Sequence, residues 1–287
     1  MTGARYNEGV RSLAVVVIAA CTPLPPQPAP LVPISDARAA ADPVYSGDVR
    51  GLHVAAEHTL AALVGALDAD KRARLGAIAL GFDGAAGDVN AYATCAESGA
   101  PMIAVSDGLL EITRQLAIAK AADETYGTEK VRAYTHWIAK HPGKVPPPDR
   151  TYGDDARTLD LARVLFAEEL AYVIGHELGH HYLGHLGCTD GGGVVEEAVR
   201  VAADAVPIFS QAAELAADGA GVRNTLEVGR TTGWTEAGAV LLLRFFRDAQ
   251  TVDQILLAFV QTHPLSEVRL PGVTGVADLW RASDGHL

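Results

Sequence analysis

The sequence predicts an α+β fold, mostly helical with one small sheet of about three strands. Two observations carry that expectation. Apolar residues recur at three- and four-residue spacing along most of the chain, as helices with one buried face require. Between residues 76 and 106 this spacing gives way to short apolar runs cut by Gly, Asp and Pro, the pattern of a small sheet. Lys+Arg 23 against Asp+Glu 35 leaves a net charge of −12. That balance excludes a nucleic-acid partner, whose phosphates need a basic surface, and charge-driven adsorption to anionic lipid. No apolar stretch nears the ~20 residues that span a bilayer.

Residues 1–20 have the parts of an export signal. Arg5 and Arg11 form a positive start, Leu13 to Ala20 an apolar run too short to span, and Ala19 and Ala20 a small-residue end. Ile18-Ala19-Ala20-Cys21 resembles a bacterial lipobox, which implies cleavage before Cys21 and lipidation of its thiol. Several acyl chains on one residue meet the two-signal requirement for stable anchoring. The alternative is an ordinary cleaved signal with a cysteine nearby. Residues 21–47 are expected as a tether, because Pro23, Pro25, Pro26, Pro28, Pro30 and Pro33 favour extended polyproline II. At ~3.1 Å per residue, the proline-rich part over 22–33 reaches on the order of 37 Å. Thr22 is not the Asp that retains enterobacterial lipoproteins in the inner membrane, so an outer-membrane site facing the periplasm is expected in a Gram-negative host. Export allows Cys95 and Cys188 to form a disulfide; the alternative is two buried thiols.

The folded domain is expected over 48–287. Leu52, Ala56, Leu60, Leu63 and Leu67 predict a helix across 49–67, followed by a charged turn from Asp68 to Arg74. The strand region spans 76–106, and helical spacing returns over 107–121. Pro142, Gly143, Pro146, Pro147, Pro148 and Gly153 make 142–153 a loop. A long helix is expected over 155–186, with further helices at 194–206, 208–222, 235–248 and 251–261.

The long helix carries His176-Glu177-Leu178-Gly179-His180. Positions i and i+4 of a helix differ by about 40° and one turn, so both imidazoles reach one metal ion. Glu177, beside the first ligand, is placed to take a proton from a metal-activated water. This chain's composition yields the pattern by chance only about 0.02 times. On a straight helix His181 and His185 point elsewhere and are read as surface or packing residues. A catalytic zinc site needs a third protein ligand and an open position. The metzincin spacing fails, since Leu183 and Leu186 stand where it needs Gly and His. A carboxylate from a later helix is the other option. Glu214 and Asp218, again i and i+4 and set among small apolar residues, supply a ligand and an acceptor for a ligand histidine's N–H. Glu196, Glu197 and Asp204 are weaker rivals.

The residues from Glu169 to His180 resemble the active-site helix of the zinc metallopeptidases of the HtpX, Oma and CAAX-prenyl-endopeptidase type, in their periplasmic lipoprotein branch. Glu214-Leu215-Ala216-Ala217-Asp218 is similar to that family's third-ligand helix, Asn90-Ala91-Tyr92-Ala93 to its edge strand, and Gly108-Leu109-Leu110 to the start of its next helix. Thr262-His263-Pro264, with Arg269, resembles its C-terminal motif. The resemblance implies a zincin-like gluzincin endopeptidase with one Zn2+ per chain, bound by His176, His180 and Glu214. It implies that Glu177 is the general base and that substrate pairs with Asn90–Ala93 by strand addition, a mode suited to unfolded or misassembled envelope proteins.

Several roles stay open at this level. His263 is read as an oxyanion donor, as a latch on the metal's open position, or as a plain helix-end residue; Arg269 as structural or as a carboxylate anchor. The gap between Leu110 and His176 is longer than the family usually has. Its extra part, 111–158, is read as a lid, a docking surface or decoration. A non-catalytic or latent lipoprotein that binds unfolded chains and uses zinc structurally is the competing function. The oligomeric state is not legible.

Overall fold

The computed structural model describes residues 30–84, 88–141, 144, 152–188, 209–249, 263 and 268–286. The export signal, Cys21, most of the proline-rich segment, Glu196, Glu197, Asp204 and the helices expected at 194–206 and 251–261 lie outside the described residues.

The expected α+β architecture is present. Helices α1 (Asp36–Ala41), α2 (Pro43–Ser46), α3 (Val49–Ala66) and α4 (Ala69–Leu75) lead into strands β1 (Ala79–Asp83), β2 (Ala91–Cys95) and β3 (Pro101–Ser106). Helices α5 (Asp107–Tyr126), α6 (Lys130–Lys140), α7 (Ala156–Tyr182), α8 (Gln211–Thr232), α9 (Ala237–Ala249) and α10 (Arg269–Ala282) follow. The sheet has the order β1-β3-β2, with β1 parallel to β3 and β2 antiparallel to it, so β2 is an edge. Side-chain oxygens of Asp48, Asp68, Ser106, Asp155 and Ser210 accept first-turn N–H groups and start α3, α4, α5, α7 and α8.

Helix α7 is the axis. From Glu168 to Tyr182 every residue is buried, because α3, α5, α8 and α9 pack around it. A helix enclosed on all sides has no polar face to show in its sequence. Its closest neighbour is α8. A Cβ on Gly221 would stand 2.9 Å from the His176 backbone nitrogen and 3.0 Å from the Tyr172 carbonyl oxygen, and one on Gly175 would stand 3.1 Å from the Gly221 Cα. Only hydrogen at these positions lets the two backbones meet.

Four expectations are corrected. Asp68 to Arg74 is not a turn: Asp68 accepts from the Lys71 N–H, and Arg72 and Arg74 favour the C-terminal end of the resulting helix α4. The tether does not run to 47. Ser35 and Asp42 cap α1 and α2, Val44 is buried, and its carbonyl accepts from Arg114 Nη1 at 2.8 Å. Just before them, Ala156 N–H donates to the Val32 carbonyl at 2.7 Å, and Pro33 forms a bridge with Asp155. The segment 111–158, read as a lid, a docking surface or decoration, packs into the body where it is described: α5 runs unbroken to Tyr126, and Leu116, Ala121, Tyr134 and Ile138 join the common core. Helix α8 runs ten residues beyond the expected end at 222, to Thr232, and Gly221 within it is a packing contact with α7.

Glu169 is fully buried, and neither carboxyl oxygen finds a hydrogen-bond partner among the described residues. Burial, with Glu168 nearby, pushes its pKa well above the ordinary carboxylate range. The unfolded chain loses this proton near pH ~4.3, whereas the folded chain keeps it to higher pH. The folded state is therefore most favoured by this group below that pH and loses about 1.4 kcal/mol per unit above it, until the folded-state value is passed. Glu169→Gln should raise stability at pH 7 by on the order of 1–3 kcal/mol and leave it unchanged near pH 4. Thermal melts of both proteins across pH 4–8 test this; parallel curves would refute it.

Candidate active site

Helix α7 brings His176 and His180 to one side, one turn apart, with their Nε2 atoms 3.0 Å from each other. Across the glycine contact, α8 presents Glu214. Its Oε2 lies 3.4 Å from His176 Nε2 and its Oε1 3.5 Å from His180 Nε2. His263 adds a fourth donor: ligand-capable atoms of His176, His180, Glu214 and His263 all lie within 4.8 Å of one another, and all four residues are buried. Two ring nitrogens at this distance can share one proton or turn toward one cation. Glu214 Oε1 is buried with no hydrogen-bond partner among the described residues. Ligand atoms ~2.0–2.1 Å from a tetrahedral ion stand about 3.4 Å apart, so the donors fit a divalent metal, and two imidazoles with one carboxylate suit zinc.

The edge strand closes the other side. Ala93 N–H donates to Glu177 Oε2 at 2.8 Å, and the Ala91 carbonyl lies 2.9 Å from His263 Nε2. Asn90 turns the opposite way, its carbonyl accepting from Ser106 N–H in β3. Strand alternation turns the Tyr92 backbone the same way. Of the four residues expected to meet substrate, only Ala91 and Ala93 therefore aim backbone groups at the cluster. The Tyr92 hydroxyl is buried, and burial raises its pKa to about 12.

A family model described as peptidase family M48 matches residues 80–276, more than half of the chain. The chain belongs to peptidase family M48. No curated protein and no solved structure gives a match. The resemblance to the HtpX and Oma metallopeptidases is thereby borne out, and the protein is a metallopeptidase of a zinc-dependent family.

In this M48 chain Asp218 organises the cluster. It accepts from His176 Nδ1 at 2.9 Å, from the Tyr172 hydroxyl at 2.7 Å, and from Arg269 Nη2 and Nε at 2.6 and 2.7 Å. Burial alone would raise the Asp218 pKa, but the bonds from His176 and Arg269 outweigh it and hold the group well below the usual range. Glu214 follows the same logic: burial opposes the charge, and His176 and His263 restore it. Burial would lower the His176 imidazole; Asp218 and Glu214 lift it instead to about 9. His180 moves the other way, driven down by burial and by the charge of His176. Burial raises the Glu177 carboxyl, against the pull of His263 and His176. Arg269 is buried against Asp218, so it anchors a carboxylate of its own chain.

Two neighbours were not anticipated. Tyr172 stands one turn before His176 on the same face, a signal present in the spacing but unused. His185 was placed on the far side of a straight helix, and the structure corrects this. Helix α7 stops at Tyr182, Gly184 takes φ +77°, and His185 N–H donates back to the His180 carbonyl at 3.0 Å. The side chain thus returns to the cluster, with Nδ1 2.9 Å from His180 Nδ1. His181 is a packing residue as expected, its Nε2 3.0 Å from the Met102 carbonyl. A disulfide joins Cys95, at the end of β2, to Cys188, beyond α7.

Replacing Asp218 by Asn removes the anion that orients His176 and leaves Arg269 buried without its partner. Zinc affinity should fall about 10–100-fold, read by chelator competition. An affinity equal to that of the unaltered protein would deny Asp218 this role.

Proposed function

We propose that this M48 protein is a zinc-dependent endopeptidase that hydrolyses peptide bonds in extended segments of unfolded or misassembled cell-envelope proteins. One observation carries the reading: Glu177 touches both halves of a peptidase site, the metal-ligand cluster and the backbone of the edge strand. His176, His180 and Glu214 would hold the zinc. When bound there, zinc lowers the pKa of water toward ~7 and polarises a carbonyl.

The remaining steps belong to the chain. Glu177 accepts the proton of the attacking water and delivers it to the leaving amine nitrogen. The bond from Ala93 N–H fixes that carboxylate relative to β2, so a substrate backbone laid along β2 is in register with its base. Asp218 keeps the His176 proton on Nδ1 and leaves Nε2 for the metal. His263 occupies the Ala91 carbonyl, an acceptor that a pairing substrate strand would use. This contact supports a restraint on substrate pairing at β2, a different device from the latch expected on the metal's open position.

The cellular setting rests on the sequence. The lipobox-like Ile18 to Cys21 supports a lipid anchor, and no described helix is long and apolar enough to cross a membrane. The Cys95–Cys188 bond fits an oxidising compartment such as the periplasm.

Glu177→Gln should cut hydrolysis of a casein-like unfolded protein by about 10²–10⁴-fold while zinc content is unchanged. A chelator should abolish the activity and zinc restore it. Equal rates for the two proteins would favour the non-catalytic binding role instead. His263→Ala should lower KM several-fold by freeing the Ala91 carbonyl, seen in peptide kinetics; a fall in kcat would assign His263 to the oxyanion.

A further inference from the structure

We infer that His185 is a positioning residue that fixes the tautomer and the ring orientation of His180. This rests on His180 being a zinc ligand, as proposed above.

The two histidines of α7 are held differently. His176 Nδ1 meets a carboxylate, Asp218. His180 Nδ1 meets another imidazole, 2.9 Å away, and no other acceptor for it is found among the described residues. An imidazole that offers Nε2 to a metal carries its proton on Nδ1. For His180 that proton points at His185 Nδ1, which must then be an acceptor, with the His185 proton on Nε2. The reverse arrangement, with His185 donating, would leave a proton on His180 Nε2 and close that nitrogen to metal. His185 therefore selects between a ligating and a non-ligating His180.

The chain builds this contact deliberately in its backbone. Gly184 at φ +77° turns the strand of residues after Tyr182 back on itself, and His185 N–H is tied to the His180 carbonyl. Side chain and main chain of His185 thus bond the same residue. Phe209 stacks on the opposing His180 ring at 3.8 Å between centroids and 19° between planes, leaving the ring little rotational freedom. His185 itself is half-buried, so the outer edge of the pair reaches toward solvent while His180 is enclosed.

Two variants separate acceptor from bulk. His185→Asn keeps an oxygen near the place of Nδ1 but loses the ring. His185→Phe keeps a ring beside Phe209 but loses the acceptor. Zinc affinity of the purified protein, measured by chelator competition, should stay close to wild type in His185→Asn and weaken about 10–100-fold in His185→Phe. Apoprotein melts should be the same for all three proteins. Wild-type affinity in His185→Phe, or a greater loss in His185→Asn than in His185→Phe, overturns the inference. Nitrogen NMR of the zinc-loaded wild type gives a second reading that needs no variant. It should show a His180 Nδ1 proton coupled across a hydrogen bond to His185 Nδ1, and an Nδ1 proton without that coupling overturns it. A wild-type protein that binds no zinc would instead sink the metal site itself.

Discussion

The close approach of α7 and α8 is the constraint on which everything else depends. His176 and His180 belong to one helix, Glu214 and Asp218 to the other, and the short bonds between them exist only if the helix axes come nearer than side chains normally allow. Gly175 and Gly221 remove the obstruction, and Gly179 against Ala220 extends the same seam, where an added Cβ would lie 2.8 Å from the Ala220 methyl carbon. A methyl group on Gly221 would press on the backbone nitrogen of His176, a member of the candidate metal cluster. It would therefore disturb the seam and the site together. Packing and chemistry are not separable here.

The second requirement is electrostatic. Glu214, Asp218, Glu177, Arg269, His176, His180 and His263 are all almost fully buried, and a buried charge is costly unless paired and hydrogen-bonded. Asp218 meets the condition with four donors from two elements, α7 and α10. Glu214 does not: among the described residues its Oε1 has no hydrogen-bond partner, and that atom lies 3.5 Å from His180 Nε2. Incomplete satisfaction at one atom, in a cluster otherwise closed, is the mark of a place meant for a cation. Glu169, one helical stretch earlier, shows the other solution: with no hydrogen-bond partner among the described residues, burial pushes its pKa up and favours the neutral form.

What could be read from the sequence was whatever a single straight helix encodes. His176, Glu177 and His180 follow from i and i+4, and Glu214 with Asp218 from the same rule on a second helix. The three strands were visible because Gly, Asp and Pro punctuate them. The failures occur where a local rule met tertiary context. His185 was misplaced because the helix was assumed to continue past Tyr182. The helix expected to end at 222 continues to Thr232, and Gly221 within it is contact surface against α7. Helix α10, which delivers Arg269 to Asp218, was not foreseen, because only Arg269, Val273 and Ala277 of it are buried and the apolar signal is thin. Tyr172 needed the position of Asp218 in space before its hydroxyl had a meaning.

The crosslink between Cys95 and Cys188 spans 93 positions of sequence. Inside that covalent ring lie β3, α5, α6 and the whole of α7, while β2 ends at its clasp. A lasso of this size removes conformations chiefly from the denatured chain, by about 4–5 kcal/mol in the chain-entropy picture. The polypeptide with both sulfurs reduced lacks that advantage and spends more time open. Maturation of the enzyme is thus coupled to the oxidation of its own thiols, and full robustness arrives only after the ring has closed.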